Sequence, residues 1–156
     1  MGTETERKFL VSHDGWRQFA GTPVAIQQGY FDVRDDTTVR VRLYNPPDDH
    51  PDRTDQSAEL TIKGPPDGWR RLEFEYDIPP EDASDMLDAF CGDRIVQKRR
   101  FPVTIEGLLW TVDVFTGNHQ GLVLAEIEQS LEQPISTRSK SWQKNTYLMN
   151  NMILLI

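Results

Sequence analysis

The stretch TVRVRL at residues 38–43 alternates with a period of two: Val39, Val41 and Leu43 fall on one side of an extended chain, Arg40 and Arg42 on the other. A helix would scatter these residues around its circumference, so the pattern reads as a strand with one apolar and one cationic face. Working outward, Leu72, Phe74 and Tyr76 oppose Arg71, Glu73 and Glu75, and similar alternation recurs at residues 59–63, 97–103, 109–115 and 122–128. Near the N-terminus, Glu-Thr-Glu-Arg-Lys at residues 4–8 places Glu4, Glu6 and Lys8 on a common face.

Two helices interrupt this strand-rich reading. One follows Pro79 and Pro80, where proline suits a first helical turn, and stops at Gly92; its Ala83, Met86, Leu87 and Phe90 form a stripe expected to pack in the core. A shorter one is expected over residues 12–20, anchored by Trp16, Phe19 and Ala20. Residues 45–57 are nearly all Pro, Asp, Asn, Arg, Thr and Ser, the composition of a connection between strands. No repeat or interdomain linker stands out, so the expectation is one α+β domain over residues 1–156, built around an antiparallel sheet.

The 156 residues are 37 % hydrophobic and 27 % charged, enough apolar material for a core. A net charge of −8 argues against a broad nucleic-acid surface, which needs a field of Lys and Arg, but leaves room for a local basic cavity. Cys91 is alone, and His13, His50 and His119 lack zinc-ligand spacing. Charged residues from Glu4 to Lys8 replace the apolar core of a signal peptide, and the apolar run at residues 152–156 is too short to span a bilayer. The expected setting is cytoplasmic, without a membrane.

A triplet such as Glu4, Glu6 and Lys8 is by itself an ordinary solvated strand face. Repetition singles it out: Arg40 and Arg42, Lys63, Glu73 and Glu75, Lys98 and Arg100, Asp113, then Glu126 and Glu128 extend charged faces over nearly every expected strand. If the sheet closes, these faces point inward and the apolar faces pack against helices outside. Desolvating so many ionic groups is costly even when they pair, so a polyanion with divalent cations is the economical occupant. Arg40, Arg42 and Arg100 offer planar forks for phosphate oxygens, Lys63 and Lys98 act as point charges, and carboxylates supply the hard oxygen ligands that suit Mg²⁺ or Mn²⁺. There is no Gly-rich phosphate loop, dinucleotide fingerprint or serine-hydrolase elbow.

The residues Glu4-x-Glu6-x-Lys8 within GTETERKFLV resemble the N-terminal signature of the CYTH, or triphosphate tunnel metalloenzyme, superfamily. The likeness continues through QQGYF at 27–31, TVRVR at 38–42, LTIKG at 60–64, EFEYDIP at 73–79, TVDVF at 111–115 and GLVLAEIE at 121–128. It implies a closed antiparallel β-barrel of about eight strands, a triphosphate tunnel with a few flanking helices. It also implies hydrolysis of inorganic tripolyphosphate or a related organic triphosphate. A class IV-like adenylate cyclase and a non-catalytic polyphosphate-binding module are the alternatives.

Carried over by position, Glu4, Glu6, Glu126 and Glu128 are the expected Mg²⁺ or Mn²⁺ ligands. Lys8, Arg40, Arg42, Lys63, Lys98 and Arg100 would line the phosphate path, with Glu73, Glu75 and Asp113 as supporting tunnel residues. Tyr30 resembles the tyrosine that accompanies the motif lysine in some bacterial members, so Lys8 and Tyr30 are the expected residues orienting or activating water. Beyond Glu128 the likeness fades, and residues 129–156 form a divergent tail in which Trp142, Tyr147 and Asn150 hint at a plug helix. The expected partner is a small triphosphate rather than nucleic acid; the resemblance leaves a homodimer open.

Overall fold

A computed structural model describes residues 5–34, 36–46, 56–65, 72–105, 107–129 and 153–155, with side chains at all of these except 5–7, 128, 129 and 153–155. The alternating segments are strands: β1 (Thr5–Val11), β2 (Val24–Tyr30), β3 (Thr38–Asn45), β4 (Ser57–Lys63), β5 (Glu73–Ile78), β6 (Ile95–Ile105), β7 (Leu108–Thr116) and β8 (Val123–Gln129). A three-residue β9 (Ile153–Leu155) pairs with β1. The sheet order is β5-β4-β3-β2-β6-β7-β8-β1-β9. Among the described residues the antiparallel sheet is open, ending at β5 and β9, where the sequence reading expected a closed eight-stranded barrel. Most of the 45–57 connection and of the divergent tail lies outside the described residues, including the hinted plug-helix residues.

The chain divides into two compact units, one of residues 24–99 and 115–119, the other of residues 1–23, 100–114 and 120–156. In the first, β2 to β5 form an antiparallel meander whose register stacks Gln28, Arg42, Glu59 and Asp77 in one row and Tyr30, Arg40, Thr61 and Glu75 in the next. Period two then gives the opposite face to Val41, Leu43 and Ala58, which are buried with Ala83, Leu87 and Cys91. Burying one Val or Leu side chain contributes about 1.5–3 kcal/mol, so this apolar face is what holds the polar rows in register.

The helix begins as α1 (Pro80–Met86), with proline at its start, and continues as a π-helical turn, Leu87–Cys91, closed by Gly92 at φ 55°. That wider turn shifts the side-chain phase. Ala83 and Leu87 are buried as expected and Met86 is half-buried, but Cys91 rather than Phe90 completes the packed stripe. Phe90 is 59 % exposed, its ring 5.7 Å from that of Phe31. The apolar side of β5 also differs from expectation: α1 packs over β3 and β4, which leaves Leu72, Phe74 and Tyr76 exposed.

In the second unit, Trp16, Val103, Ile105, Trp110, Val112, Ala125 and Ile127 form the core. Trp16 comes from a 3-10 helix, Asp14–Phe19, at the place of the expected shorter helix, and meets Phe101 edge-on at 5.2 Å. His13 caps it, its Nδ1 accepting from the Gly15 N–H at 3.1 Å. Six residues are too few to sustain a stripe, and Phe19 is exposed.

Candidate active site

In the second unit the register between β1 and β8 places Lys8 opposite Glu126 and Glu6 opposite Glu128. Lys8 Nζ lies 2.9 Å from Glu126 Oε1, and Glu126 Oε2 accepts from Arg100 Nη2 at 3.2 Å. Arg100 on β6 also grips Asp113 on β7 with two parallel bonds, Nε to Oδ1 at 2.7 Å and Nη2 to Oδ2 at 2.8 Å. Asp113 is 1 % exposed, so its charge is viable because the fork satisfies both oxygens. The four side chains make one continuous chain of alternating charge, Lys8–Glu126–Arg100–Asp113.

In the first unit the polar face of β2 to β5 is equally ordered. Arg40 Nη2 donates to Thr61 Oγ1 at 2.9 Å and lies 3.6 Å from Glu75 Oε1, while its buried Nε has no partner among the described residues. Arg42 Nε donates to Gln28 Oε1 at 3.1 Å and Nη1 to the Tyr44 hydroxyl at 3.0 Å; that hydroxyl donates to Glu59 Oε2 at 2.7 Å. The Tyr30 hydroxyl accepts from Gln28 Nε2 at 2.8 Å. Lys63 Nζ is 2.8 Å from Glu73 Oε1, and Lys98 is buried with Nζ 5.6 Å from the Phe115 ring centroid. Burial, with Glu59 acting in the same direction, pushes the Tyr44 hydroxyl up from its ordinary value against the opposing pull of Arg42, so it stays a proton donor at neutral pH.

The structure thus brings together Lys8, Arg100, Asp113 and Glu126 in one unit, and Tyr30, Arg40, Arg42, Lys63, Glu73 and Glu75 on one strand face of the other; Lys98 lies in the latter unit too. Glu4 lies outside the described residues, and Glu6 and Glu128 are located by backbone alone. Among the described residues no cluster of three metal-ligating side chains occurs. Four residues of the Arg40 and Arg42 network were not singled out from sequence: Gln28, Tyr44, Glu59 and Thr61. The signal was the same period of two, since Tyr44 continues the Arg40, Arg42 row and Glu59 and Thr61 precede Lys63 on theirs.

A family model described as the CYTH domain matches residues 2–135. The chain belongs to the CYTH domain family. An inorganic triphosphatase from Acetivibrio thermocellus is 40 % identical to this CYTH domain over 128 residues, 82 % of this chain and 75 % of the relative. A crystal structure of the inorganic triphosphatase NE1496 superposes with a TM-score of 0.55 at 29 % identity, covering 85 % of this chain and 77 % of that one. The PH1012 protein from Pyrococcus horikoshii OT3 shares the CYTH domain's fold, with a TM-score of 0.63 at 17 % identity over 97 % of this chain and 94 % of its own. No helix among the described residues is long and apolar enough to cross a membrane.

Proposed function

We propose that this chain is a divalent-metal-dependent triphosphatase that hydrolyses inorganic tripolyphosphate, with related organic triphosphates as secondary substrates. The observation that carries the reading is 40 % identity over 128 residues to an inorganic triphosphatase. The geometry agrees with it: two arginines on one strand face are held by neutral and acidic partners in fixed orientations, an arrangement suited to phosphate oxygens. In this reading the sheet closes into the tunnel that the family resemblance implies.

The residues fit a hard cation. Glu6 and Glu128 are direct partners across an antiparallel ladder, and two like charges at one register position destabilise the pair unless a cation shares them. With Glu4 and Glu126 they would hold Mg²⁺ or Mn²⁺, which when bound neutralises phosphate oxygens and absorbs charge developing in the transition state. Lys8, Arg40, Arg42, Lys63, Lys98 and Arg100 bind and orient the triphosphate, with Glu73, Glu75 and Asp113 fixing the basic groups. Asp113 holds Arg100, Glu75 lies beside Arg40, and Glu73 holds Lys63.

Lys8 and Tyr30 orient the attacking water. Because Gln28 donates to the Tyr30 oxygen, the Tyr30 O–H proton is directed to another acceptor, which in this reading is that water. Water adds to the terminal phosphorus as the bridging P–O bond breaks, a proton from the water passes to a phosphate oxygen, and phosphate and pyrophosphate leave. The proposed setting is cytoplasmic, with the small triphosphate rather than nucleic acid or a membrane as the partner.

The test is phosphate release from tripolyphosphate, ATP and thiamine triphosphate with Mg²⁺ or Mn²⁺, run beside a cAMP assay on ATP. Fastest turnover of tripolyphosphate is expected. cAMP as the main product would move the reading to a cyclase, and binding without turnover of any triphosphate would leave a polyphosphate-binding module.

A further inference from the structure

We infer that Tyr44 and Glu59, together with Gln28, are positioning residues for Arg42, fixing its guanidinium so that the Nη2 edge meets a substrate phosphate. The inference rests on the triphosphate reading above and adds to it the residues that set affinity at this arginine. Arg42 is 9 % exposed, and its contacts are one-sided: Gln28 Oε1 takes Nε, the Tyr44 hydroxyl takes Nη1, and Glu59 Oε2 lies 4.0 Å from Nη1. Among the described residues Nη2 takes no hydrogen bond.

Each holder is itself held. Gln28 is oriented by donating its Nε2 to the Tyr30 hydroxyl, which turns Oε1 toward Arg42. Tyr44 is oriented by donating to Glu59 at 2.7 Å, which aims the oxygen lone pairs at Nη1. The guanidinium also sits 5.7 Å from the Tyr44 ring centroid, so the ring limits its swing. Arg40, two residues away, is held by a different set, Thr61 and Glu75. The Tyr44–Glu59 bond therefore addresses Arg42 alone.

An arginine side chain carries large rotamer entropy, and holding the fork before the ligand arrives removes that cost from binding. The consequence belongs in substrate affinity, not in the chemical step. Replacing Tyr44 by Phe keeps the ring and removes the hydroxyl, leaving Arg42 Nη1 and Glu59 without their shared partner.

The experiment measures tripolyphosphate binding by calorimetry in the presence of chelator, and KM and kcat with Mg²⁺, for the full chain and five variants. Loss of a hydrogen bond to a charged group predicts that Tyr44→Phe raises Kd and KM roughly ten-fold, with kcat little changed. Glu59→Ala behaves like Tyr44→Phe, whereas Glu59→Gln retains an acceptor and recovers most of the affinity. In an Arg42→Lys background, which removes the fork, Tyr44→Phe has no further effect. An unchanged Kd and KM in Tyr44→Phe, or an undiminished rise in the Arg42→Lys background, overturns the positioning role while leaving the triphosphatase reading intact. Wild-type protein that neither binds nor hydrolyses tripolyphosphate overturns both.

Discussion

Asp113 and Glu73 are both acids on charged strand faces, yet they sit in different electrostatic regimes. Asp113 is almost wholly buried with both oxygens on Arg100; Glu73 meets Lys63 at 2.8 Å, but that pair is about one-third exposed. Removing one member of a buried pair leaves an uncompensated charge, whereas an exposed pair is screened. Asp113→Asn is therefore expected to lower stability by about 3 kcal/mol and Glu73→Gln by less than about 1 kcal/mol, read from urea unfolding. Equal losses would contradict the burial argument. From sequence, alternation placed both on charged strand faces, but pairing depends on inter-strand register, which no single strand reveals. The same limit hid Tyr44 and Glu59, which became visible once β3 lay against β4.

Gly29 shows how an element depends on a close approach. It lies on β2 opposite Val41, on the face packed against the π-helical turn, and a Cβ there would collide with Cys91 Sγ and stand 2.7 Å from Cys91 Cβ and 2.8 Å from Leu87 Cδ2. Gly29→Ala should cost about 1–3 kcal/mol through overpacking, seen as a lower urea midpoint with an unchanged slope. Gly92→Ala would act differently, since it forces a side chain to φ 55° with open space around it. Strand periodicity, the proline start and the glycine stop were all legible. The π turn was not, because an apolar stripe fits either helix phase until packing chooses between Phe90 and Cys91. Nor was the exposure of Phe74 and Tyr76, since alternation marks a face as apolar without saying what covers it.

At the scale of the whole molecule, a chain of net charge −8 nonetheless presents Arg40, Arg42, Lys63 and Arg100 on strand faces where acids or amides hold them. Acidic composition and phosphate chemistry are compatible because the local field, not the sum, meets the ligand. The family was legible from sequence because its motifs are strand faces, and strand faces are read by period two. Whether the sheet closes was not, because closure depends on which edges meet: the sequence reading expected a closed barrel, and the described strands form an open sheet. Metal-dependent hydrolysis at these faces is read out by phosphate release from tripolyphosphate as Mg²⁺ is titrated. Turnover is expected to rise with Mg²⁺ and to be abolished by chelator. Glu128→Gln should lower kcat by at least about ten-fold, and Arg40→Ala should mainly raise KM. Turnover indifferent to chelator, or unaffected by both substitutions, would contradict metal-dependent hydrolysis at these faces.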